Sequence, residues 1–249
     1  MTTPSASASR SVGAAEGTTA KAGDADISPM SLVLDDTAAA FLRAANPGQS
    51  SLLAEMTEYG ESQGFPTVGP DAGQFFRVVA TLAGAERIFE FGSGFGYSAA
   101  WFLGALPADG EIVLTDYDDE NLADAREFLG RLDNDTDVHF EAGDALETFE
   151  KYDGPFDVVF LDHDKERYAE AFDQAVAKLA PGGVVVADNM MAGPVETGDV
   201  TATLDGAPAP DDMTEGIASY IEHVRDHPDF ETAFVPLGEG VAVSVENEF

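Results

Sequence analysis

Two spacings of apolar residues share this chain. In "LDDTAAAFLRAA", "SSLLAEMTEYGESQ" and "DAGQFFRVVATLAG" they recur every three to four positions, the period of a helix with one buried face. Asp36, Ser50 or Ser51 and Gly84 supply caps for these helices. Elsewhere the apolar residues form short, nearly unbroken runs: "RIFEF", "EIVLTD", "DVHFEA", "FDVVFLD" and "GGVVVAD". A strand apolar on both sides is a strand covered on both faces, which is the habit of parallel sheets. Four of the runs lead into helix-spaced segments, "YSAAWFLGAL", "DENLADAREFLGRL", "ALETFEKY" and "ERYAEAFDQAVAKLA". Right-handed crossovers through such helices give an open, doubly wound α/β sheet.

The stretch from Ala192 to Asp212, rich in Pro, Gly and acids, predicts a long loop, and the helix "TEGIASYIEHVRDH" follows it. "FETAFVPL" and "VAVSVENEF", joined at Gly238-Glu239-Gly240, predict a hairpin that brings the sheet to seven strands, mostly parallel, with an antiparallel end. No internal repeat is visible. Residues 1–27, dominated by Ser, Thr, Ala and Gly and without the apolar core of a signal peptide, predict a disordered tail. Residues 28–249 are then one domain, with the cytoplasm as its expected location.

Charge changes the picture more than composition does. Twelve basic residues against 47 acidic ones give a net charge of −35, while hydrophobic residues remain at 44%. Such an excess disfavours nucleic acid and anionic membranes as partners in ordinary salt. Replacement of lysine by acid around a normal core resembles proteins of salt-accumulating archaea, in which a Debye length of about 3 Å at molar salt screens the repulsion. No cysteine is present, which excludes disulfides, thiolate metal sites and a cysteine nucleophile.

Candidate chemistry clusters at predicted strand ends. "FEFGSGFGYSAA" places Gly92, Gly94 and Gly96 between a strand and a helix, where a ligand can approach backbone amides closely. The dinucleotide pattern asks for glycine at position 97, which is Tyr97 here. Asp116 closes the next strand, where a carboxylate can accept both hydroxyls of a ribose or act as a turn residue. Asp118 and Asp119 read as a capping pair. Asp162 ends the fourth strand, and Asp188 and Asn189 end the fifth. If those strands are neighbours, two carboxylates and an amide oxygen converge as a hard oxygen set suited to Mg²⁺.

Lys165 is one of only four lysines and stands at a helix start, where the helix dipole disfavours a cation. It reads either as a surface partner of Asp164 or Glu166, or as a base beside a dication. His163 alternates away from Asp162 and reads as packing, and His139, His223 and His227 as surface or helix-end residues.

From about Gly64 to Val245 the chain resembles the cation-dependent O-methyltransferases, the family of catechol and caffeoyl-CoA O-methyltransferases. "FEFGSGFGYSA" is similar to their S-adenosylmethionine loop, "VVFLDHDKERY" and "VVVADNMM" to their two metal segments, and "HPDFETAFVPLGEGVAVSV" to their closing hairpin. The resemblance implies a Rossmann-like class I methyltransferase fold and a homodimer. It implies that Asp162, Asp188 and Asn189 hold a divalent cation and that Lys165 is the general base. It further implies that Glu90, Gly92, Gly94 and Ser98, with Asp162 beside them, meet the methionine part of the cofactor. Asp116 would meet the ribose, and Asp144 and Ala145 the adenine. Asp164 departs from the catechol enzymes, which carry tryptophan there, and matches the acyl-CoA type. The expected acceptor is a small molecule with a catechol-like or vicinal diol hydroxyl. The rivals are an NAD(P)-linked oxidoreductase, which the glycine loop and Asp116 alone would allow, and a non-catalytic cofactor-binding relative.

Overall fold

The apolar runs become the inner strands of one sheet. The computed structural model describes Met1 and residues 34–247, so the predicted tail and the boundary at Ser28 lie outside the described residues, Met1 apart. Three helices come first, α1 (Asp36–Ala45), α2 (Ser51–Gln63) and α3 (Gly69–Ala83). The alternating part follows as β1 (Arg87–Phe91), α4 (Tyr97–Leu103), β2 (Glu111–Asp116), α5 (Asp119–Leu129), β3 (Asp137–Ala142), α6 (Ala145–Lys151) and β4 (Phe156–Leu161). A 3₁₀ turn over Lys165–Arg167 leads into α7 (Tyr168–Val176) and β5 (Leu179–Ala187). The chain then forms α8 (Thr197–Leu204), α9 (Asp212–Arg225), β6 (Phe230–Val235) and β7 (Val241–Glu246).

The strand order is β3-β2-β1-β4-β5-β7-β6. Strands β3 to β5 are parallel, and β7 enters antiparallel between β5 and β6. The order reverses between β1 and β4, which is where open α/β sheets bind ligands, beyond the strands' carboxyl ends.

Each face of the sheet carries its own core. Ile88, Ile112, Leu114, Val158, Phe160, Val184 and Val186 pack with α2, α3 and α4; Phe89, Phe91, Val113, Val159, Leu161 and Val185 pack with α6, α7 and α9. Phe160 stands between Phe76 and Phe102, with ring centroids 5.0 and 5.7 Å away. Truncation of such a ring to alanine costs about 3–5 kcal/mol.

Three local expectations need correction. Asp35, not Asp36, caps α1, its carboxylate accepting from the Ala38 N–H at 2.8 Å. The helix after β4 starts at Tyr168 because Lys165–Arg167 form a tighter turn first. The 192–212 segment is not all loop: Thr197–Leu204 is helical and buries Val200 against the α9 side of the core.

Candidate active site

Strand side chains alternate between faces. Continued past the last apolar residue of each strand, the parity that sends Ile88, Leu114, Phe160 and Val186 toward α2–α4 assigns Glu90, Asp116, Asp162 and Asp188 to that same face. Four acids from β1, β2, β4 and β5 therefore gather at the carboxyl edge, on strands about 4.8 Å apart.

The glycine loop is shaped by its neighbours. Gly92 has φ +82, and a Cβ there would overlap the Asp162 carbonyl, so β1 and β4 close on each other only with glycine at that position. The Gly94 N–H donates to Asp116 Oδ2 at 3.0 Å, and the Ser93 N–H to the Thr115 carbonyl at 2.8 Å. Asp116 Oδ1 accepts from the Asp118 N–H at 2.8 Å and from Asn121 Nδ2 at 3.1 Å, so this carboxylate braces both loops. Tyr97 opens α4, and its hydroxyl lies 2.9 Å from Gln49 Nε2 and 3.1 Å from Thr57 Oγ1, tying α4 to α2 and the segment before it. Over the loop lies a cavity of about 170 Å³ walled by Phe65–Val68 on one side and by Gly92, Gly94, Ser98, Asp116 and Asp162 on the other.

Glu90 is fully buried on β1, and neither of its carboxylate oxygens has a hydrogen-bond partner of good geometry. Burial pushes its pKa up to about 8; the nearby Ser98 hydroxyl opposes this, and the charge of Asp162 adds to it. Ser98 is likewise buried, in the first turn of α4. Asp144 has duties within the fold. Its Oδ1 accepts from the Leu146 and Glu147 N–H groups and caps α6, while Oδ2 takes Arg167 Nη1 and the Tyr117 hydroxyl. Burial works upward on its carboxyl, but the Glu147 N–H and Arg167 hold it below the usual value. Ala145 is buried at the start of α6, and neither it nor Asp144 lines the cavity.

The β4–β5 end brings Asp162, Lys165, Asp188 and Asn189 together. Leu161 pairs with Ala187, and the Asp188 N–H donates to the Leu161 carbonyl at 3.1 Å, so Asp162 and Asp188 are the next residues along adjacent strands. Asn189 has φ +66, the left-handed conformation that asparagine adopts most readily among residues with a Cβ. That turn breaks the alternation which would otherwise send consecutive side chains to opposite faces. Lys165, only 8% exposed, donates from Nζ to Asp162 Oδ1 and to the Tyr168 hydroxyl, both at 2.8 Å. The surface-pair reading of Lys165 is thereby corrected: its partners are Asp162 and Tyr168, not Asp164 or Glu166. His163 packs between Phe91 and Tyr168 with neither ring nitrogen partnered, and burial pushes its pKa down to about 3.

The residues fit a hard divalent cation. Asp188 is 2% exposed and its Oδ1 lacks a hydrogen-bond partner. Burial and the charge of Asp162 hold its carboxyl well above the usual range; Asp162 is raised as well, by burial, against the pull of Lys165. Two neighbouring carboxyls that resist ionising together are a pair that a bound cation would stabilise in the charged form. The set is two carboxylates and one amide; among the described residues no three His, Cys, Asp or Glu side chains gather as metal ligands.

Three residues at the site escaped the sequence reading. Tyr168 looks like the first core aromatic of a helix, yet its buried hydroxyl holds Lys165. Tyr117, beside Asp116, bridges Asp144 and Asp164 at 3.2 Å each. Glu239 reads as a solvated acid between two turn glycines, but its carboxylate accepts from Asn189 Nδ2.

The chain belongs to the O-methyltransferase family, whose profile matches residues 44–246. It is 35% identical over 147 residues to a catechol O-methyltransferase of Niastella koreensis, a match covering 57% of this chain and 66% of that protein. It is 26% identical over 194 residues to a caffeoyl-CoA O-methyltransferase of Populus trichocarpa, covering 71% and 73%. Its fold matches the crystal structure of an O-methyltransferase from Bacillus cereus in complex with SAH, with a TM-score of 0.73 and 23% identity, covering 85% of this chain and 97% of the other. Among the described residues no helix is long and apolar enough to cross a membrane.

Proposed function

We propose that this protein is an S-adenosylmethionine-dependent O-methyltransferase that methylates a hydroxyl of a catechol-like or other vicinal-diol small molecule, oriented by a divalent cation, with Mg²⁺ the best match to the donor set. The observation that carries the proposal is the double membership of Asp162, which lines the glycine-loop cavity and holds Lys165. The methyl donor and the acceptor hydroxyl therefore meet at one point. The oxidoreductase reading fits neither the family nor Tyr97, and Asp162, Lys165, Asp188 and Asn189 together argue against a purely cofactor-binding relative.

Unpartnered Glu90 suits the cationic amino group of the methionine moiety, and Ser98 stands beside it. A cavity of about 170 Å³ is smaller than a whole cofactor pocket of about 300–1,000 Å³. The ribose would lie at Asp116, and the adenine would extend past exposed Tyr117 toward Asp144 and the start of α6 at Ala145. Asp162, Asp188 and Asn189 would hold the cation, whose charge lowers the pKa of the acceptor hydroxyl when it is bound. As the neutral amine, which still has two N–H groups for Asp162 and Tyr168, Lys165 would receive the hydroxyl proton on the Nζ lone pair. Most of the rate enhancement would come from holding oxygen, methyl and sulfur in line. We extend the reading to a cytoplasmic homodimer working at high salt, on family resemblance and acidity, with neither nucleic acid nor membrane as partner.

The test is methyl transfer from labelled S-adenosylmethionine to a panel of catechols and aliphatic diols, with Mg²⁺ or chelator, in molar salt. Cation-dependent transfer to a vicinal diol is expected. Transfer that is indifferent to chelator would overturn the cation role.

A further inference from the structure

Glu239 lies 50 positions from Asn189 in sequence, yet the two side chains are joined by a hydrogen bond from the amide Nδ2 to the carboxylate. The backbone fixes this meeting. The Met190 N–H donates to the Gly240 carbonyl, and the Met191 and Ala192 N–H groups both donate to the Glu239 carbonyl, each at 2.9 Å. Glycines leave the room for it: a Cβ on Gly193 would strike the Glu239 carboxylate and the Asn189 amide, and one on Gly240 would strike Met191. The hairpin turn and the loop after β5 are thus laced together around a single side-chain contact.

An asparagine amide has a donor end and an acceptor end. With Nδ2 engaged by Glu239, the end left for a cation is Oδ1, the only one that can ligate it. Glu239 itself stands outside the ligand set, since no third carboxylate joins Asp162 and Asp188 in metal-holding geometry among the described residues. Keeping another acid close to buried Asp188 and half-buried Asp162 costs stability, so its placement calls for a role.

We propose that Glu239 is a positioning residue for the divalent cation, setting the amide of Asn189 with its oxygen toward the site. This rests on the cation reading above. Residues that orient ligands from behind change metal affinity by about 10–100-fold when removed.

The test measures Mn²⁺ binding to the full chain by electron paramagnetic resonance of the free ion, with calorimetric binding of S-adenosylhomocysteine as the check on folding. Glu239→Ala should weaken Mn²⁺ by about 10–100-fold with the nucleoside affinity kept. Glu239→Gln retains an acceptor for Nδ2 and should stay within a few-fold of wild type. In an Asn189→Asp background two carboxylates face each other, and adding Glu239→Gln should recover Mn²⁺ affinity by supplying an N–H. Glu239→Ala binding like wild type, or Glu239→Gln falling as far as Glu239→Ala, overturns the positioning role while the cation reading stands. Wild type and Asp188→Ala binding Mn²⁺ equally weakly overturns both.

Discussion

Each half of this site ends in buried acid, and the two halves leave different charges unmet. On β1 a single carboxylate, Glu90, has no cation and no hydrogen bond of good geometry. At the β4–β5 end Asp162, Asp188 and Glu239 influence one another, and Lys165 is the cation at their centre. The lone carboxyl of Glu90 suits an ammonium group, whereas Asp162 and Asp188, with the Asn189 amide beside them, suit the proposed dication. The two ends of one site thus differ in kind: a lone buried carboxyl on β1, and at β4–β5 two carboxyls with a lysine and an amide.

That contrast can be broken from either side. The largest effect is expected from Asp188→Ala, which should lower methyl transfer by about a thousandfold or more by removing a cation ligand. S-adenosylhomocysteine binding should persist, and Asp188→Asn should raise the melting temperature of the metal-free protein by removing a carboxyl that burial keeps from ionising. Equal loss of nucleoside binding would mean that the two halves are one. Next, Lys165→Met should reduce turnover by about a hundredfold or more with cofactor affinity kept, as measured by single-turnover kinetics.

Glu90→Gln should weaken S-adenosylmethionine by roughly 10–100-fold, the worth of a charge-assisted hydrogen bond, and leave Mn²⁺ binding alone. Its effect on stability follows from the raised pKa of about 8. Above the ordinary glutamate value the unfolded chain loses this proton and the folded chain keeps it. The folded state therefore binds more protons, and stability falls as pH climbs from about 4.5 to 8, at up to about 1.4 kcal/mol per unit. Denaturant titration of the ligand-free protein should show that slope in wild type and a flatter one in Glu90→Gln. The smallest and least local effect is salt: lowering KCl from molar to about 0.1 M lengthens the screening distance to about 10 Å and should depress the melting temperature. An unchanged melting point would remove the halophilic reading.

Much of this was legible in the chain because the relevant signals are strong. Strands buried on both faces leave unbroken runs such as Val158–Leu161, and glycines mark the loop where two strand ends touch. The acid at each strand end was visible, and so was the condition for Asp162 and Asp188 to meet, that their strands be neighbours, which β4 and β5 are. What escaped depends on partners distant in sequence. Helix α8 buries only Val200 and is made of residues that also suit a loop, so its helicity comes from packing on α9. Asp35 and Asp36 are chemically equivalent as caps, and only backbone geometry separates them. Glu239 looks like any turn acid until β7 inserts beside β5.

That insertion also fixes a timetable. Strand β5 finishes at Ala187 and its neighbour β7 begins at Val241, so Glu239, in the turn that grips Asn189, leaves the ribosome 50 residues after it. A nascent chain stopped before Gly238 has its glycine loop and both aspartates but nothing to orient the asparagine amide. The carboxylate proposed to orient that amide is thus among the last parts of the site to be made.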